Sequence, residues 1–581
     1  MFLVPLVLVG LAWKLLNWKP DQQSPPKTVD ISGASYVAHP RGTVVFSHEI
    51  APIVFTHCSP CHRPNQAAPF PLLSYRDAQR HARELVEVTQ SGYMPPWLPA
   101  AGFGHFVDER RLTGEEKGLI QQWVVEGAKE GNPGETPPPP NWPDGWYLGK
   151  PDLVVQMPSE YHLAPDGEDV YRNFVVPVDL PRDRYVRAFE FLPQNQRIVH
   201  HAFIKISPNQ TARRREKDAE IPGFDGMDVP AETPPGQFLA WQPGKIPAPG
   251  PSGLPWKLPA GGDLVLQVHM NKTGKPETLR SSVGLYFTDA PPTNACFKVE
   301  LCSLAIDLPA GASNIVVSDT FTLPCEVDVL SVLPHAHFLA KKMKGWATRP
   351  DGTQEWLLWI PKWDFKWQGD YRYSTPVHLP VGTVLHMEFT YDNSEQNSQN
   401  PHHPPRRVTY GAQTSDEMAE LWFQFLPRAE KDIAALEEAN QGHLWRIIRD
   451  RATHLLAVEP NNPLAHVEMG KYLVTQRNLP AAVREFRRSI ELRSDTDEAH
   501  FQLGMLLRFE GKTVEARREL QTAVRLNPEN SMAFGHLGFV MAEMGELAEA
   551  ERCFRKTLEL DPGDALAAKA LAQLLQSSKR H

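Results

Sequence analysis

Two histidines separated by one residue, His335 and His337, are the first side chains in this sequence whose spacing suggests chemistry. Residues 327–332 before them alternate in polarity and are rich in β-branched side chains, which predicts a β-strand. Because residues two apart on a strand share a face, both imidazoles point the same way and can ligate one metal ion. Two polar residues on a solvated strand face would give the same pattern, so the pair alone does not establish a site.

A second chemical signature is Cys58-Ser-Pro-Cys61-His62, which has the spacing of a covalent haem attachment site. In such a site, two thioether bonds hold the porphyrin and the histidine supplies the proximal axial ligand. Met94 suits the sixth coordination position, and a core methionine is the alternative interpretation. The pentapeptide alone also fits half of a zinc site or a redox pair, but no second cysteine pair follows at zinc-ribbon spacing.

Residues 44–130 are predicted to form an α-helical domain around this motif. An amphipathic helix is expected before Cys58, and residues 112–127 begin with a helix-capping pattern. The arrangement resembles small cytochromes c, and the resemblance implies one covalently bound haem c ligated by His62 and Met94. The Pro-rich residues 131–145 that follow predict a stiff, extended linker.

Residues 146–295 and 296–428 are predicted to form two β-sandwich domains, jelly-roll-like in type, because short alternating stretches are separated by Pro/Gly turns. Three histidines lie on predicted strands of the first sandwich: His200, His201 and His269. Adjacent strand residues normally face opposite ways. His200 and His201 can therefore share a metal only if the strand is distorted or if they use different ring nitrogens.

These histidines belong to four short motifs whose order and spacing resemble one family. The motifs are His200-His201, Gln267-Val-His269, His335-Ala-His337 and Ser415-Asp-Glu-Met418. The region from 200 to 425 resembles the copper type II, ascorbate-dependent monooxygenases, the group of peptidylglycine α-hydroxylating monooxygenase and dopamine β-monooxygenase. The resemblance implies an electron-transfer copper on His200, His201 and His269. It implies an oxygen-activating copper on His335, His337 and Met418, where a soft thioether favours Cu(I).

The resemblance also implies hydroxylation of a C–H bond with O2, the second electron crossing a solvent-filled gap between the two sandwiches. The sequence departs from the peptide-hydroxylating members at two positions. Leu333 stands where those relatives carry an arginine that binds the substrate carboxylate, and Trp422 stands where a tyrosine is expected. Peptide amidation is therefore not expected, whereas a more apolar or aromatic substrate is expected.

Other polar groups in this region leave alternatives open. The dense disulfides of the family are missing, and Cys296, Cys302 and Cys325 suffice for one bridge and a spare thiol. The pair His402-His403 precedes Pro404 and could add a metal contact, but a solvated loop is the simpler interpretation.

Residues 429–581 change to an Ala/Leu/Glu/Arg-rich composition with a 34-residue period. Gly470, Gly504 and Gly538 keep that spacing, and large apolar residues follow each glycine in register. The pattern resembles tetratricopeptide repeats, with three full repeats and a flanking helix on each side. Such an α-solenoid usually presents a groove to a protein partner, which the sequence does not name.

The N-terminus and the composition limit where the protein can be located and what class of protein it can be. Residues 1–19 are mostly apolar and predict an export signal or membrane anchor, with a buried strand or helix as the alternative. Residues 20–43 predict a polar tether. The chain of 581 residues has 55 prolines and a formal net charge of -9, which indicates several domains and no nucleic-acid partner.

Two hypotheses of function follow. The first is a periplasmic or extracytoplasmic enzyme with two copper ions and one haem c. It would hydroxylate an unidentified small substrate with O2, taking electrons from a reductant or donor protein through the haem domain. The second is a non-catalytic haem–copper electron-transfer or copper-handling protein that docks through its repeats.

Overall fold

The computed structural model describes residues 36–578 except residues 65, 67, 108, 142–144, 209, 218, 227–228 and 244. The predicted export segment and most of the predicted tether lie outside the described residues. Among the helices of the described part of the chain, none is long and apolar enough to cross a membrane.

The N-terminal domain is α-helical, as predicted. A π-helical turn at Phe46–Ile50 leads into four helices: α1 (Ala51–His57), α2 (Tyr75–Arg80), α3 (Ala82–Gln90) and α4 (Gly114–Val125). Helix α4 begins at a capping box in which Thr113 and Glu116 satisfy each other's backbone amides. Phe46 packs against Trp123 of α4, with ring centroids 6.2 Å apart, so the two ends of the domain share one core.

The first β-region is a sandwich of two antiparallel sheets. Its strands are β1 (Leu153–Gln156), β2 (Tyr161–Leu163), β3 (Val170–Pro177), β4 (Arg184–Leu192), β5 (Val199–Ser207), β6 (Phe224–Asp225), β7 (Ala240–Trp241), β8 (Trp256–Leu258), β9 (Asp263–Met270), β10 (Glu277–Leu279) and β11 (Ser282–Thr288); helix α5 (Thr211–Lys217) follows β5. The sheets have the orders β1-β11-β4-β8 and β6-β3-β9-β5-β7. Every residue of the central strand β9 is buried, including the polar Asp263, Gln267 and His269.

The second β-region repeats the plan. Its strands are β12 (Phe297–Cys302), β13 (Asp307–Leu308), β14 (Ser313–Thr322), β15 (Val327–His335), β16 (Ala340–Thr348), β17 (Gln354–Ile360), β18 (Tyr371–Leu379), β19 (Val384–Asp392), β20 (Val408–Thr409) and β21 (Glu420–Pro427). The facing sheets have the orders β12-β21-β15-β18 and β14-β19-β16-β17. A 3₁₀ turn at Phe365–Trp367 lies between β17 and β18. The strand predicted before His335 is therefore present as β15.

Residues 97–107 join the N-terminal domain to the second sandwich, a connection that the sequence did not indicate. The Ala100 amide donates to the Trp359 carbonyl at 2.7 Å, and the Val107 amide donates to the Arg372 carbonyl at 2.8 Å. Phe106 is buried in the core of the sandwich, 5.1 Å from the ring of Tyr373. The helical domain is thus anchored by backbone pairing and core packing as well as by the linker.

The C-terminal region is an array of eight helices in the described residues. They are α6 (Lys431–Val458), α7 (Pro463–Thr475), α8 (Leu479–Leu492), α9 (Asp497–Phe509), α10 (Thr513–Leu526), α11 (Ser531–Glu543), α12 (Leu547–Leu560) and α13 (Ala565–Ser578). Helices α7–α12 form three pairs flanked by α6 and α13, as the repeat predicts. A buried carboxylate, Asp319 of β14, accepts from His443 Nε2 at 2.8 Å and from Arg446 at 2.6 Å. Because both donors lie on α6, the array is fixed to the second sandwich.

Within each repeat, a glycine meets a large side chain at the closest approach of its two helices. A Cβ atom at Gly504 would lie 2.7 Å from Leu520, and Gly470 and Gly538 face phenylalanines in the same way. The 34-residue period of the sequence therefore reflects the close packing of one glycine against one large side chain in each repeat.

We therefore expect Gly504→Ala to lower the free energy of unfolding of the repeats by about 1–3 kcal/mol, because the added methyl overpacks the crossing. Chemical denaturation of the full-length protein, followed by far-UV circular dichroism, measures the loss. Gly442→Ala is the matched control: it lies in α6 with no atom within 4 Å of the added Cβ, so stability should be unchanged or slightly higher. Equal stability of both variants would contradict the close crossing.

The repeats also contain a buried ion pair between His500 and Glu519, 2.7 Å apart. Burial alone would lower the pKa of His500, but the bond to Glu519 outweighs it and raises that pKa above 6.5. The same bond, with help from Arg518, lowers the pKa of Glu519 below 4.5. Both members of the pair are therefore mostly charged between pH 4.5 and pH 6.5.

We expect His500→Gln to cost about 1–3 kcal/mol, the value of a hydrogen bond to a charged group. The stabilisation by His500 is complete below pH 6.5 and is lost as the pH rises through its raised pKa. The stabilisation by Glu519 is complete above pH 4.5 and is lost as the pH falls through the lowered pKa of Glu519. The difference in Tm between wild type and variant, measured across pH, should thus be largest between pH 4.5 and 6.5. A difference that is independent of pH would contradict the charged pair.

Candidate metal centres

Three histidines of the first sandwich converge on one point. One ring nitrogen from each of His200, His201 and His269 lies within 4.8 Å of the others. The pairing of β5 with β9 shifts register between Val199 and His201, so a β-bulge lies at His200. The bulge is the strand distortion that the adjacent pair requires, because it turns both side chains to the same side.

The nitrogen atoms of this cluster are arranged to receive a cation. His200 Nδ1 and His201 Nδ1 face each other at 3.0 Å. His269 Nε2 lies 3.3 Å from a carboxylate oxygen of Asp169, which fixes the proton at Nε2. His269 Nδ1 is buried and has no hydrogen-bond partner among the described residues. An orphaned lone pair beside two other imidazoles fits a transition-metal ion.

Burial keeps these rings neutral, which is the form that binds metal. Desolvation lowers the pKa of His200 to about 3, and the neighbouring His269 and His335 contribute to the decrease. Burial is also the main cause that lowers the pKa of His269 and places that of His201 well below its ordinary value. At neutral pH all three lone pairs are therefore available.

The second sandwich places His335 and His337 side by side, with ring centroids 5.3 Å apart. His335 Nδ1 donates to Gln368 Oε1 at 2.6 Å, and His337 Nδ1 donates to the Asp416 carbonyl at 3.1 Å. Both bonds leave Nε2 of each ring free for a ligand. Strand β15 pairs His335 with Glu420 of β21 as the last pair of that ladder, and Met418 lies two residues before Glu420.

A buried glutamate that the sequence did not single out, Glu417, holds this second group together. Its carboxyl group accepts from the backbone amides of His337, Met418 at 2.9 Å and Leu339 at 2.9 Å. Burial raises the pKa of Glu417 to about 8, against the opposing effect of those amides. Only its position directly before Met418 could have indicated its role.

The two histidine groups lie against each other. The rings of His201 and His335 are 6.3 Å apart, and the ring of Phe365 stacks on His200 at 4.3 Å and contacts His337 at 5.6 Å. The expectation of a solvent-filled gap between the sandwiches is therefore wrong for this structure. The physical reason is that Phe365 fills the space between the two groups.

The Cys-x-x-Cys-His motif follows directly after α1. Cys58 and Cys61 are free thiols, and His62 Nδ1 donates to the Phe70 carbonyl at 3.0 Å, which leaves Nε2 as a ligand atom. These residues fit a covalently attached haem. Met94 is half-buried in the turn after α3, where its amide donates to the Val88 carbonyl at 2.9 Å. The geometry thus supports His62 as a ligand more directly than Met94.

Two further groups stay outside the metal centres. His402 Nε2 lies 3.0 Å from the Ser415 carbonyl and His403 is exposed, so this pair belongs to the loop, as the simpler interpretation has it. Cys296, Cys302 and Cys325 are each free and buried, so the bridge allowed among them is not formed.

The comparisons with known proteins concern the C-terminal array. Two family models described as tetratricopeptide repeat match residues 467–531 and 508–574, which confirms the predicted repeats. A crystal structure of MamA is 25% identical, covering 25% of this chain and 83% of that chain, with a TM-score of 0.22. The first repeat unit of Spaghetti (RPAP3) bound to an HSP90 peptide is 20% identical, covering 20% of this chain and 93% of that chain, with a TM-score of 0.20. TM-scores this low carry no further argument, and no curated protein matches the chain.

The position of Glu417 generates a prediction. Glu417→Ala leaves several buried amides around His337 and Met418 without an acceptor, so we expect a loss of about 3 kcal/mol in stability. Copper binding at this site should weaken roughly 10–100-fold, as for other outer-shell partners of metal ligands. Titration of full-length protein against a copper chelator measures the second effect.

Glu388→Ala is the control for Glu417→Ala, because Glu388 makes only a partly exposed ion pair with Lys344 in the same sandwich. Its copper affinity should equal that of the wild type. Unchanged affinity in Glu417→Ala would show that the carboxyl group does not position the ligands.

Proposed function

We propose that this protein is a copper-dependent monooxygenase that hydroxylates a C–H bond of a small substrate with O2, with electrons delivered through a c-type haem on its N-terminal domain. The observation that carries the proposal is the juxtaposition of two donor sets of different chemistry. Three imidazoles converge in one sandwich, and the paired imidazoles of His335 and His337 lie in the other, where the Glu417 carboxyl group accepts from the backbone amides of both His337 and Met418. The nearest rings of the two groups, those of His201 and His335, are 6.3 Å apart.

The two donor sets suit different roles in copper chemistry. Copper bound here would supply one-electron redox steps and the activation of O2. His200, His201 and His269 form a set of neutral nitrogen donors that suits an electron-transfer ion in either oxidation state. The thioether of Met418 favours the reduced ion beside His335 and His337, which is the form that reacts with O2.

The surrounding residues of this chain orient the donors. Asp169, Gln368 and the Asp416 carbonyl each bond to one ring nitrogen of a histidine, so the other nitrogen would be free to hold a metal ion. The ring of Phe365 packs between the two sites, against His200 and His337.

The contact between the N-terminal domain and the first sandwich supports electron entry from a haem. Cys61, Trp241 and Lys245 line one small cavity of about 30 Å³. Trp241 lies on β7, where it pairs with Ala202, the residue after His201. The haem attachment motif is therefore separated from the three-histidine cluster by little more than one strand.

The tetratricopeptide repeats favour a second role, the binding of a protein partner, in addition to the proposed oxidation. A tetratricopeptide array offers a surface for a protein partner, and here it is fixed to the second sandwich through Asp319. The partner could be an electron donor. A purely non-catalytic haem–copper or copper-handling protein is the alternative function, and it would use the same array for docking.

The decisive experiment uses full-length protein matured in a periplasm that attaches haem c. We expect one haem and two copper ions per chain, together with oxygen consumption that depends on a reductant. Met418→Ile should retain one haem and the three-histidine copper. Its oxygen consumption should fall by more than the roughly 10–100-fold decrease caused by changing a residue that only positions a ligand. The reason is that Met418→Ile removes a ligand itself.

Two further variants complete the design. His162→Ala, which changes an exposed histidine of β2, should behave as the wild type. Cys58→Ala/Cys61→Ala should lose turnover with a protein electron donor but keep it with a chemical reductant. Zinc in place of copper would refute the proposal, and two coppers without oxygen consumption would favour the non-catalytic alternative.

A further inference from the structure

The loop of residues 410–419 between β20 and β21 bonds to partners of both histidine groups. Near its middle, Thr414 Oγ1 donates to Asp169 Oδ2 in the first sandwich at 2.8 Å. The same carboxylate oxygen lies 3.3 Å from His269 Nε2. A loop of the second sandwich is therefore one side chain away from a predicted ligand in the first.

The same loop reaches the second histidine group two residues later. The Asp416 carbonyl accepts from His337 Nδ1 at 3.1 Å. The Glu417 carboxyl group accepts from the backbone amide of His337, and Met418, the remaining predicted ligand, comes next in the chain. Residues 414–418 thus contain both the contact with the first sandwich and the contacts with the second group.

A tight turn connects the two ends of this stretch. The Asp416 amide donates to the Gln413 carbonyl at 2.9 Å, and the Gln413 amide donates to the Asp416 carboxylate at 3.3 Å. Thr414 and Ser415 are the two central residues of the four-residue turn that the first of these bonds closes. A shift of Thr414 therefore also shifts the Asp416 carbonyl that holds His337.

Another polar contact between the two sandwiches stays away from the histidines. Arg372 of β18 donates to the Pro249 carbonyl at 2.7 Å, and among the described residues neither of them bonds to a histidine of the two groups. The bond between Thr414 and Asp169 differs, because Asp169 also holds His269. The Nδ1 atom of His269 is the orphaned nitrogen of the three-histidine group.

A ligand that fixes the ring of His269 therefore acts on the loop. A metal ion on Nδ1 would fix the direction of the Nε2–H bond toward Asp169. With the Asp169 carboxylate already held, the bond from Thr414 forms without a further loss of conformational freedom at Asp169. Such coupling is reciprocal, so an ordered loop favours a metal ion at the three-histidine group to the same extent.

We propose that Thr414 is a positioning residue that couples the two metal sites, so that occupation of the three-histidine group stabilises the loop that carries Asp416 and Met418. This rests on the proposed function, which assigns one copper ion to each histidine group. The coupling concerns metal binding alone, so it is measured without turnover.

Hydrogen–deuterium exchange of the full-length, haem-loaded Met418→Ile/His335→Ala protein tests the coupling. This parent variant leaves a single predicted ligand in the second group, so one equivalent of Cu(I), added without oxygen, occupies the three-histidine group. We expect the backbone amides of residues 411–418 to exchange about tenfold more slowly with Cu(I) than without it, a typical size for coupling between two sites. Adding Thr414→Val, which removes the hydroxyl donor and keeps the shape of the side chain, should abolish this decrease.

Three further changes, each added to the same parent, complete the design. Thr414→Ser keeps a hydroxyl donor and should keep the decrease. Arg372→Leu removes the contact with Pro249 and is the matched control, so it should also keep the decrease. Asp169→Ala breaks the same link from the other side and should abolish the decrease, so the result does not depend on the folding of one variant.

Equal slowing of exchange with and without the Thr414 hydroxyl group would overturn the coupling. Bound Cu(I) that leaves the exchange of residues 411–418 unchanged in the parent protein would overturn it as well. A parent protein that binds no Cu(I) would instead refute the assignment of copper to the three-histidine group, and the coupling would fall with it. Equilibrium dialysis distinguishes the two failures, because it measures the bound copper directly.

Discussion

The hydrogen bonds of one carboxylate, Asp169, join the two sandwiches at the candidate metal centres. Asp169 lies just before β3 and accepts from His269 Nε2 at 3.3 Å and from Thr414 Oγ1 at 2.8 Å. Burial opposes its ionisation, but the bonds from His269 and Thr414 outweigh burial and lower the pKa of Asp169. The same anion thus sets the tautomer of a predicted ligand and ties down the loop that carries Met418.

The second sandwich is the body to which every other part of the chain is attached. Residues 97–107 bond to its edge strands β17 and β18, and Asp319 on the opposite edge strand β14 fixes helix α6 of the repeats. Phe365, from its 3₁₀ turn, fills the contact with the first sandwich. A chain of separate modules would place its two histidine groups at variable distances. These joints instead hold the rings of His201 and His335 6.3 Å apart.

Patterns within short stretches of the sequence predicted the helices and strands. They could not predict contacts between residues that are distant in the sequence. Alternation predicted β15 and the capping pattern predicted α4, because each depends on neighbours within one strand or turn. The 34-residue period predicted the helix pairs, because it recurs along the sequence itself. The sequence indicated the bulge at His200 only as a distortion that is required if His200 and His201 bind the same metal ion. The bond between Asp169 and Thr414 joins residues 245 positions apart, and Glu417 acts through backbone amides, so neither leaves a periodic signal.

The two departures from the peptide-hydroxylating relatives are neighbours in space. Leu333 of β15 and Trp422 of β21 are directly paired across the sheet, and Lys298 lies under the indole at 5.4 Å. Trp422 Nε1 also donates to a carboxylate oxygen of Glu420 at 3.2 Å, so the indole packs between a cation and an anion while Leu333 beside it is apolar.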